Sequence, residues 1–314
     1  MIRKKTGILF LLFSSLLVWQ AAAAVDNGDK DKKVQKLPLR RIVIDAGHGG
    51  SAGAAGKFYG ASGKHMEEKD VALAIALKLQ AEINAQMPDI EVIMTRTTDV
   101  FNSPIVKANK ANAAKGDLFI SIHCNDVADI KHREITGYTT KTVKKKGKKV
   151  KKEIPIYHTY TTPNPAHGTE TYIWGVGKTK DKEEALAENS FIDSTMLVLV
   201  NEDNPAMKMI NAARTNEFAQ KSRKLAETME DEFIRSGRQS RGAKQRDEKG
   251  IWVLQAVAMP AILIEVGFLS YPEEEEFITS PEGQQQTAET IVKALKKYRS
   301  SLEAQYRSLN GGSR

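Results

Sequence analysis

The sequence predicts an α/β domain, a mostly parallel twisted sheet flanked by helices, as a single domain with one long basic insertion. Three observations predict it. The apolar, largely β-branched runs at 42–46, 118–122 and 261–264 have the character of strands buried on both faces. Segments of helical period stand between the early strands. The resulting order over 41–125, strand–helix–strand–helix–strand, is that of a parallel sheet with crossover helices.

Taken in order, residues 25–39 are polar and charged and read as a flexible leader. Ile42-Val43-Ile44 opens the first strand, and the glycine-rich loop GHGGSAGAAG follows it. In EEKDVALAIALKLQAEINAQ, Glu68, Val71 and Ile75 fall at i, i+3 and i+7, with Leu79 four further on, so one helical face carries all four. IEVIMTR (90–96) reads as a strand. Ser103-Pro104 is an N-cap followed by proline at the first helical position, and Gly116 is expected to close that helix. DLFISIHCN (117–125) is again a strand. The segment 126–170 is Lys-rich, then Pro/Thr/Tyr-rich, and reads as an inserted loop or hairpin. ETYIWGV resumes a strand, and 182–200 and 205–236 read as two helices. The second carries an apolar stripe of Met207, Ile210, Phe218, Leu225, Met229 and Phe233. PAILIEVGFLS (260–270) is the last buried strand. An amphipathic helix over 284–307 ends the domain, 40–307, before a disordered tail at 308–314.

The chain has 314 residues, 41% of them hydrophobic, which is enough to bury a real core. Residues 1–24 have the features of a secretory signal peptide. Arg3, Lys4 and Lys5 form a positive start, Gly7 to Trp19 is apolar, and Ala22-Ala23-Ala24 offers a cleavage site. An uncleaved anchor is the alternative, and no cysteine stands near the cleavage site to carry a lipid. Export to the periplasm or cell envelope is therefore expected. With Cys124 alone, no internal disulfide forms, so the fold rests on its core. Net charge is +8, and loss of the signal peptide leaves +5. The stretch 131–152 holds ten Lys and Arg against Glu134, so it carries +9 and the rest of the mature chain about −4. The basicity is local. Nucleic acid is a poor partner for an exported chain, whereas an anionic envelope polymer or membrane surface suits the segment; an ordinary solvated loop is the alternative.

Three apolar runs are followed at once by His48, His123 and Glu265. In a parallel sheet such positions converge on the carboxyl edge, where open α/β folds bind ligands. Glu68 shares the inward face of Val71 and Ile75, so two histidines and two carboxylates drawn from 217 positions of chain can meet. A catalytic zinc commonly takes two His and one carboxylate and leaves one position open for water, and a further carboxylate serves as proton carrier. The bland alternatives are a loop histidine at His48, a core histidine at His123, a solvated carboxylate at Glu68 and a buried ion pair at Glu265. Glu67 competes with Glu68, Cys124 reads as a small buried thiol, and His65, His132, His158 and His167 fall in expected loops.

IVIDAGHGG, EEKDVALAIALKL, ANAAKGDLFISIHCN and MPAILIEVGFLS, in that order, resemble the N-acetylmuramoyl-L-alanine amidases of the zinc-dependent Amidase_3 type. The resemblance covers roughly 40–126 and 168–300. It implies that His48, Glu68 and His123 hold Zn²⁺ and that Glu265 is the catalytic carboxylate. The implied substrate is peptidoglycan, glycan and stem peptide together, cut at the amide between N-acetylmuramic acid and L-alanine. A peptidase or amidase acting on another cell-wall amide, and a closed-site wall-binding regulator, are the alternatives. The chain departs from the family pattern after the first glycines, at Cys124, at Tyr271 and in the length of 126–170. Ala185, Leu186 and the AEN that follows resemble the point at which some members insert a helix over the active site. That implies a regulatory helix at 182–206, with Glu188 or Glu202 taking the open zinc position; an ordinary amphipathic helix is the alternative. An activating protein partner is left open.

Overall fold

A computed structural model describes residues 39–50, 60–145, 148–175, 182, 205–246 and 250–311. The expected signal peptide and most of the leader, most of the expected regulatory helix, Glu188 and Glu202 lie outside the described residues.

Ile42, Val43 and Ile44 are all fully buried in strand β1 (Arg41–Ala46). β1 is flanked on both sides by parallel neighbours, β2 (Glu91–Met94) and β3 (Leu118–Asn125). β3 pairs in parallel with a later strand, Ala261–Phe268, with His123 opposite Glu265. Two further strands, Thr169–Trp174 and Ser240–Arg246, complete the sheet. The first pairs antiparallel to Ala261–Phe268, and the second runs parallel to the first. Numbering strands in chain order with the insertion as β4 and β5, these are β6 (Thr169–Trp174), β7 (Ser240–Arg246) and β8 (Ala261–Phe268). The six-stranded order is β2-β1-β3-β8-β6-β7, so the sheet is mostly parallel, as the sequence predicts, with two reversed strands at one side.

Alternate side chains of the central strands feed two cores. On one face Ile42, Ile44, Ile120, Ile122, Ile262 and Ile264 pack with the helix α1 (Glu68–Gln86) through Val71, Ile75, Leu79 and Ile83. On the other, Val43, Phe119, Ala261 and Leu263 pack with the helix α2 (Pro104–Ala113) through Ala108 and Ala111. Burial on both faces is the reason the runs are continuously apolar. Pro88, just past the C-cap Met87, prevents continuation of α1. Ser103 caps α2 by accepting a hydrogen bond from Val106 N–H at 3.3 Å. The left-handed residue after α2 is Lys115 (φ 52°), not Gly116. Gly116 serves packing instead, since a Cβ there would lie 2.7 Å from Val43 Cγ2.

The long helix α3 (Pro205–Arg235) buries Leu225, Met229 and Phe233, but Ile210 is 44% exposed and Phe218 only partly covered. The expected stripe is therefore a core face in its second half alone. Sequence reasoning missed the short helix α4 (Trp252–Ala256) and the acidic helix α5 (Pro272–Thr279). In α5, Glu274 accepts from Gly168 and Phe268 N–H at 2.8 Å each, so part of the acidic run is structural. The terminal helix α6 (Pro281–Gly311) begins earlier and ends later than expected. The insertion is a hairpin, β4 (Ile130–Lys145) and β5 (Lys148–Thr162), forming its own two-stranded sheet. No helix among the described residues is long and apolar enough to cross a membrane.

Candidate metal centre

The centre is assembled where β1, β3 and β8 end and α1 begins. Gly47 N–H donates to Ile122 O at 2.9 Å, which carries the β1–β3 pairing one step past the strand. A Cβ on Gly47 would lie 2.6 Å from His123 Cε1 and from Ile122 O, so only glycine leaves His123 its seat. His48 follows with φ 55°, a left-handed conformation that costs energy for a residue with a side chain and turns the ring back over the strand ends. Glu68 is the first residue of α1 and is buried. Its N–H donates to Ala61 O at 3.0 Å while its Oε2 accepts from Ala61 N–H at 2.8 Å.

Glu68 Oε1 lies 2.8 Å from His123 Nδ1 and 3.1 Å from His48 Nε2, and it also accepts from Cys124 N–H at 3.2 Å. The two rings meet edge-on with centroids 4.8 Å apart. Burial opposes the Glu68 charge, but hydrogen bonds from His123 and His48, and their charge, hold its carboxyl well below the usual range. One ligand atom from each of His48, Glu68 and His123 fits within 4.8 Å of the others, so these residues form a potential metal site among the described residues. Glu67 is the N-cap of α1 and lies 3.3 Å from Lys69 Nζ instead. Cys124 points into the apolar core shared with α1, its thiol pushed up by burial. His132 and His158 lie on the hairpin strands rather than in loops, and none of the other four histidines joins the cluster.

Glu265 shares a face of the sheet with its register partner His123. Its Oε2 is sealed from solvent and has no hydrogen-bond partner among the described residues. Burial first, and then the negative charge of Glu68, push its carboxyl up to about 8, with Arg246 acting in the opposite direction. A carboxylate oxygen sealed from solvent without a partner costs free energy unless something charged arrives to meet it.

Sequence reasoning missed three supporting groups. Asp45 is fully buried and accepts from Thr95 Oγ1 at 2.6 Å and Ser121 Oγ at 2.7 Å, with Lys107 Nζ 2.9 Å away. Arg96 donates to Ala46 O at 3.0 Å and Gly47 O at 2.7 Å, clamping the turn that presents His48. Glu170, opposite Glu265 on β6, accepts from Arg241, from Lys244 Nζ at 2.7 Å and from Asn125 Nδ2 at 3.2 Å. Burial opposes its charge, yet these partners and Tyr172 draw it down to about 2. The signal for Asp45 and Glu170 was an acid inside an apolar strand run, IVIDA and TETYIW, which demands a partner elsewhere in the chain. Beside the cluster opens a cavity of about 450 Å³ whose lining includes Asp45, His48 and His123 together with Phe101, Trp252 and Leu263.

Fold and site together define the class: an α/β domain with a potential metal centre at the carboxyl ends of its central strands. The chain belongs to the Amidase_3 family, described as N-acetylmuramoyl-L-alanine amidase, whose family model matches residues 42–297. It is 29% identical over 259 residues to the N-acetylmuramoyl-L-alanine amidase AmiC of Escherichia coli O6:H1, covering 82% of this chain and 52% of that protein. It is 28% identical over 263 residues to AmiC of Neisseria meningitidis serogroup B, again covering 82% and 52%. The chain thus spans about half the length of these curated relatives. Among solved structures, an N-acetylmuramoyl-L-alanine amidase from Clostridium difficile 630 superposes with a TM-score of 0.51 at 26% identity, covering 84% of this chain and 98% of that one.

Proposed function

We propose that this chain is an exported, zinc-dependent N-acetylmuramoyl-L-alanine amidase that hydrolyses the amide joining N-acetylmuramic acid to the L-alanine of the peptidoglycan stem. The observation that carries the reading is the convergence of His48, Glu68 and His123 on one point with the unpartnered Glu265 carboxylate on the neighbouring strand. Family membership and the names of the relatives support the substrate class. The positive start at Arg3, Lys4 and Lys5, the apolar run from Gly7 to Trp19 and the small residues Ala22-Ala23-Ala24 support export to the periplasm or cell envelope.

The donor set fits zinc. Two imidazoles and one carboxylate are a common catalytic ligand set, and tetrahedral bonds of about 2.0–2.1 Å place ligand atoms roughly 3.3 Å apart. The 2.8 and 3.1 Å separations around Glu68 Oε1 are within about half an ångström of that. Zinc bound there supplies Lewis acidity toward the scissile carbonyl and acidifies a water. The chain's own groups do the rest. His48, Glu68 and His123 hold the ion, and the amides of Ala61 and Cys124 fix the Glu68 carboxylate. Were a dication held there, it would offset the Glu68 charge that adds to burial in raising Glu265 and would so favour the Glu265 carboxylate. Glu265 then takes a proton from the attacking water as its oxygen bonds to the carbonyl carbon. It passes that proton to the amine nitrogen as the carbon–nitrogen bond breaks, freeing the stem peptide. Phe101, Trp252 and Leu263 line the same cavity as the two histidines and give it apolar surface that suits the lactyl side of the substrate.

A muropeptide digest tests this reading. Zinc-loaded wild type releases stem peptides with a free L-alanine amino terminus, and Glu265→Ala reduces the rate by roughly 10²–10⁴-fold. Cleavage within the stem, or no product from folded zinc-loaded protein, refutes it.

A further inference from the structure

The β4–β5 hairpin has no role in the chemistry above. It leaves the domain five residues after β3, the strand that carries His123, and among the described residues its two strands pair with each other alone. A strand of 16 residues reaches roughly 50 Å at about 3.3 Å per residue, so the tip stands far from the site at its root. An isolated two-stranded ribbon is only marginally stable in water, and this one leaves Ile135, Tyr138, Ile156 and Tyr157 exposed. Both features call for a partner.

The tip specifies the partner's chemistry. Residues 141–152 contain eight lysines and no acid. Register places Lys141–Lys152 on one face and Lys144–Lys149 on the other, with Lys151 beside the latter. On the first face the pair Val143–Val150 sits between Lys141–Lys152 and Lys148, Val150 being 44% exposed. A linear polyanion needs its cations along one face. Here they ring the end of the ribbon on both faces around an apolar pair, which suits a tip-down contact with a flat anionic surface that has an apolar interior. Lysine, a compact charge without arginine's bidentate fork, fits diffuse headgroup attraction better than a shaped phosphate site.

We propose that the β4–β5 hairpin is a membrane-docking arm whose tip binds the anionic headgroups of a phospholipid bilayer. The arm holds the carboxyl edge of the sheet at a set distance from that surface. This inference rests on the export proposed above and is independent of the amidase reading.

The test uses the chain from residue 25, which removes the apolar N-terminal segment and keeps every described residue. Co-sedimentation is measured with phosphatidylcholine vesicles, plain or carrying one-third phosphatidylglycerol. Wild type is expected to bind the anionic vesicles at low salt, to ignore the plain ones, and to be released at ~0.5 M NaCl. Each lysine near an anionic surface contributes about a fivefold gain in affinity, so Lys144→Gln/Lys149→Gln/Lys152→Gln weakens binding on the order of 10²-fold. Val143→Ser/Val150→Ser weakens it several-fold and leaves the salt dependence intact. Glu265→Ala binds vesicles as wild type does, which separates this test from that of the amidase activity. Equal wild-type binding to plain and anionic vesicles overturns the proposal, as does undiminished binding by the triple-lysine variant. Tighter capture by soluble poly-glutamate than by anionic vesicles overturns it in favour of a polymer ligand.

Discussion

Lys107→Met isolates the buried ion pair beside the candidate metal centre. Lys107 Nζ lies 2.9 Å from Asp45 Oδ1, with the two side chains only 6% and 1% exposed, and it also donates to Ala46 O at 2.8 Å. Methionine keeps most of the volume and removes the charge, so packing loss is small. What remains is a buried carboxylate without its cation, and breaking such a pair costs about 3–5 kcal/mol. Thr95 and Ser121 still donate to Asp45, which places the expected cost near the lower end. The pH dependence supplies a sharper check. Burial opposes the Asp45 charge, but Lys107 and the hydrogen bonds from Thr95 and Ser121 keep its carboxyl below the ordinary 3.8. In wild type this group therefore contributes stability above the unfolded carboxyl's range, and that contribution is lost as pH falls through the lower folded value. In the variant the unpaired, buried carboxyl shifts upward and protonates more readily, so the penalty shrinks as pH falls. Urea denaturation of the metal-free protein at pH ~7 and ~3 measures both quantities. A loss below ~1 kcal/mol at neutral pH, or a penalty that does not shrink in acid, refutes the assignment of Asp45 and Lys107 as a stabilising buried pair.

Gly47→Ala places a Cβ 2.6 Å from His123 Cε1 and should weaken zinc affinity by about 10–100-fold, the usual scale for disturbing a ligand's support. Competition with a chromophoric chelator measures it, and unchanged affinity shows that the seat of His123 does not need the glycine. Glu170→Gln removes a negative charge that helps raise Glu265, so the acid limb of the kcat/KM profile should move to lower pH. The same change leaves Arg241 and Lys244 without their carboxylate and should cost about 1–3 kcal/mol in thermal or urea unfolding. An acid limb that stays in place or moves upward contradicts the electrostatic link across β6 and β8.

Several elements were legible because their signal is local. A strand buried on both faces must be apolar throughout, which marked β1, β3 and β8. Glu68, Val71, Ile75 and Leu79 are spaced for one helical face, and that face is buried. Ser103 and Pro104 announce a helix start through cap chemistry alone. Other elements carry no such signal. α4 is only five residues long, too short to express a period, and β7 reads SRGAKQR, half exposed and without alternating apolar residues. The reversed direction of β6 and β7 is set by where the connecting chain can run, and strand periodicity is the same in either direction. In α3 Ile210 belongs to the same expected stripe as Leu225, yet Ile210 is 44% exposed and Leu225 is buried.

The sequence by itself determined the class of fold and nominated groups with the wrong polarity for their places, histidines at strand ends and Glu265 in an apolar run, while Asp45 and Glu170 carried the same signal and were missed. Their chemistry was visible because burying them unpartnered is costly wherever the chain puts them. Only the tertiary structure decided which of them meet. It chose Glu68 over Glu67, set Glu265 opposite His123, paired Asp45 with Lys107 and gave Glu170 to Arg241 and Lys244. These partners lie tens to hundreds of residues apart. Coulomb and hydrogen-bond energies depend on separations of a few ångströms, which strand register and helix packing set and spacing along the chain does not encode.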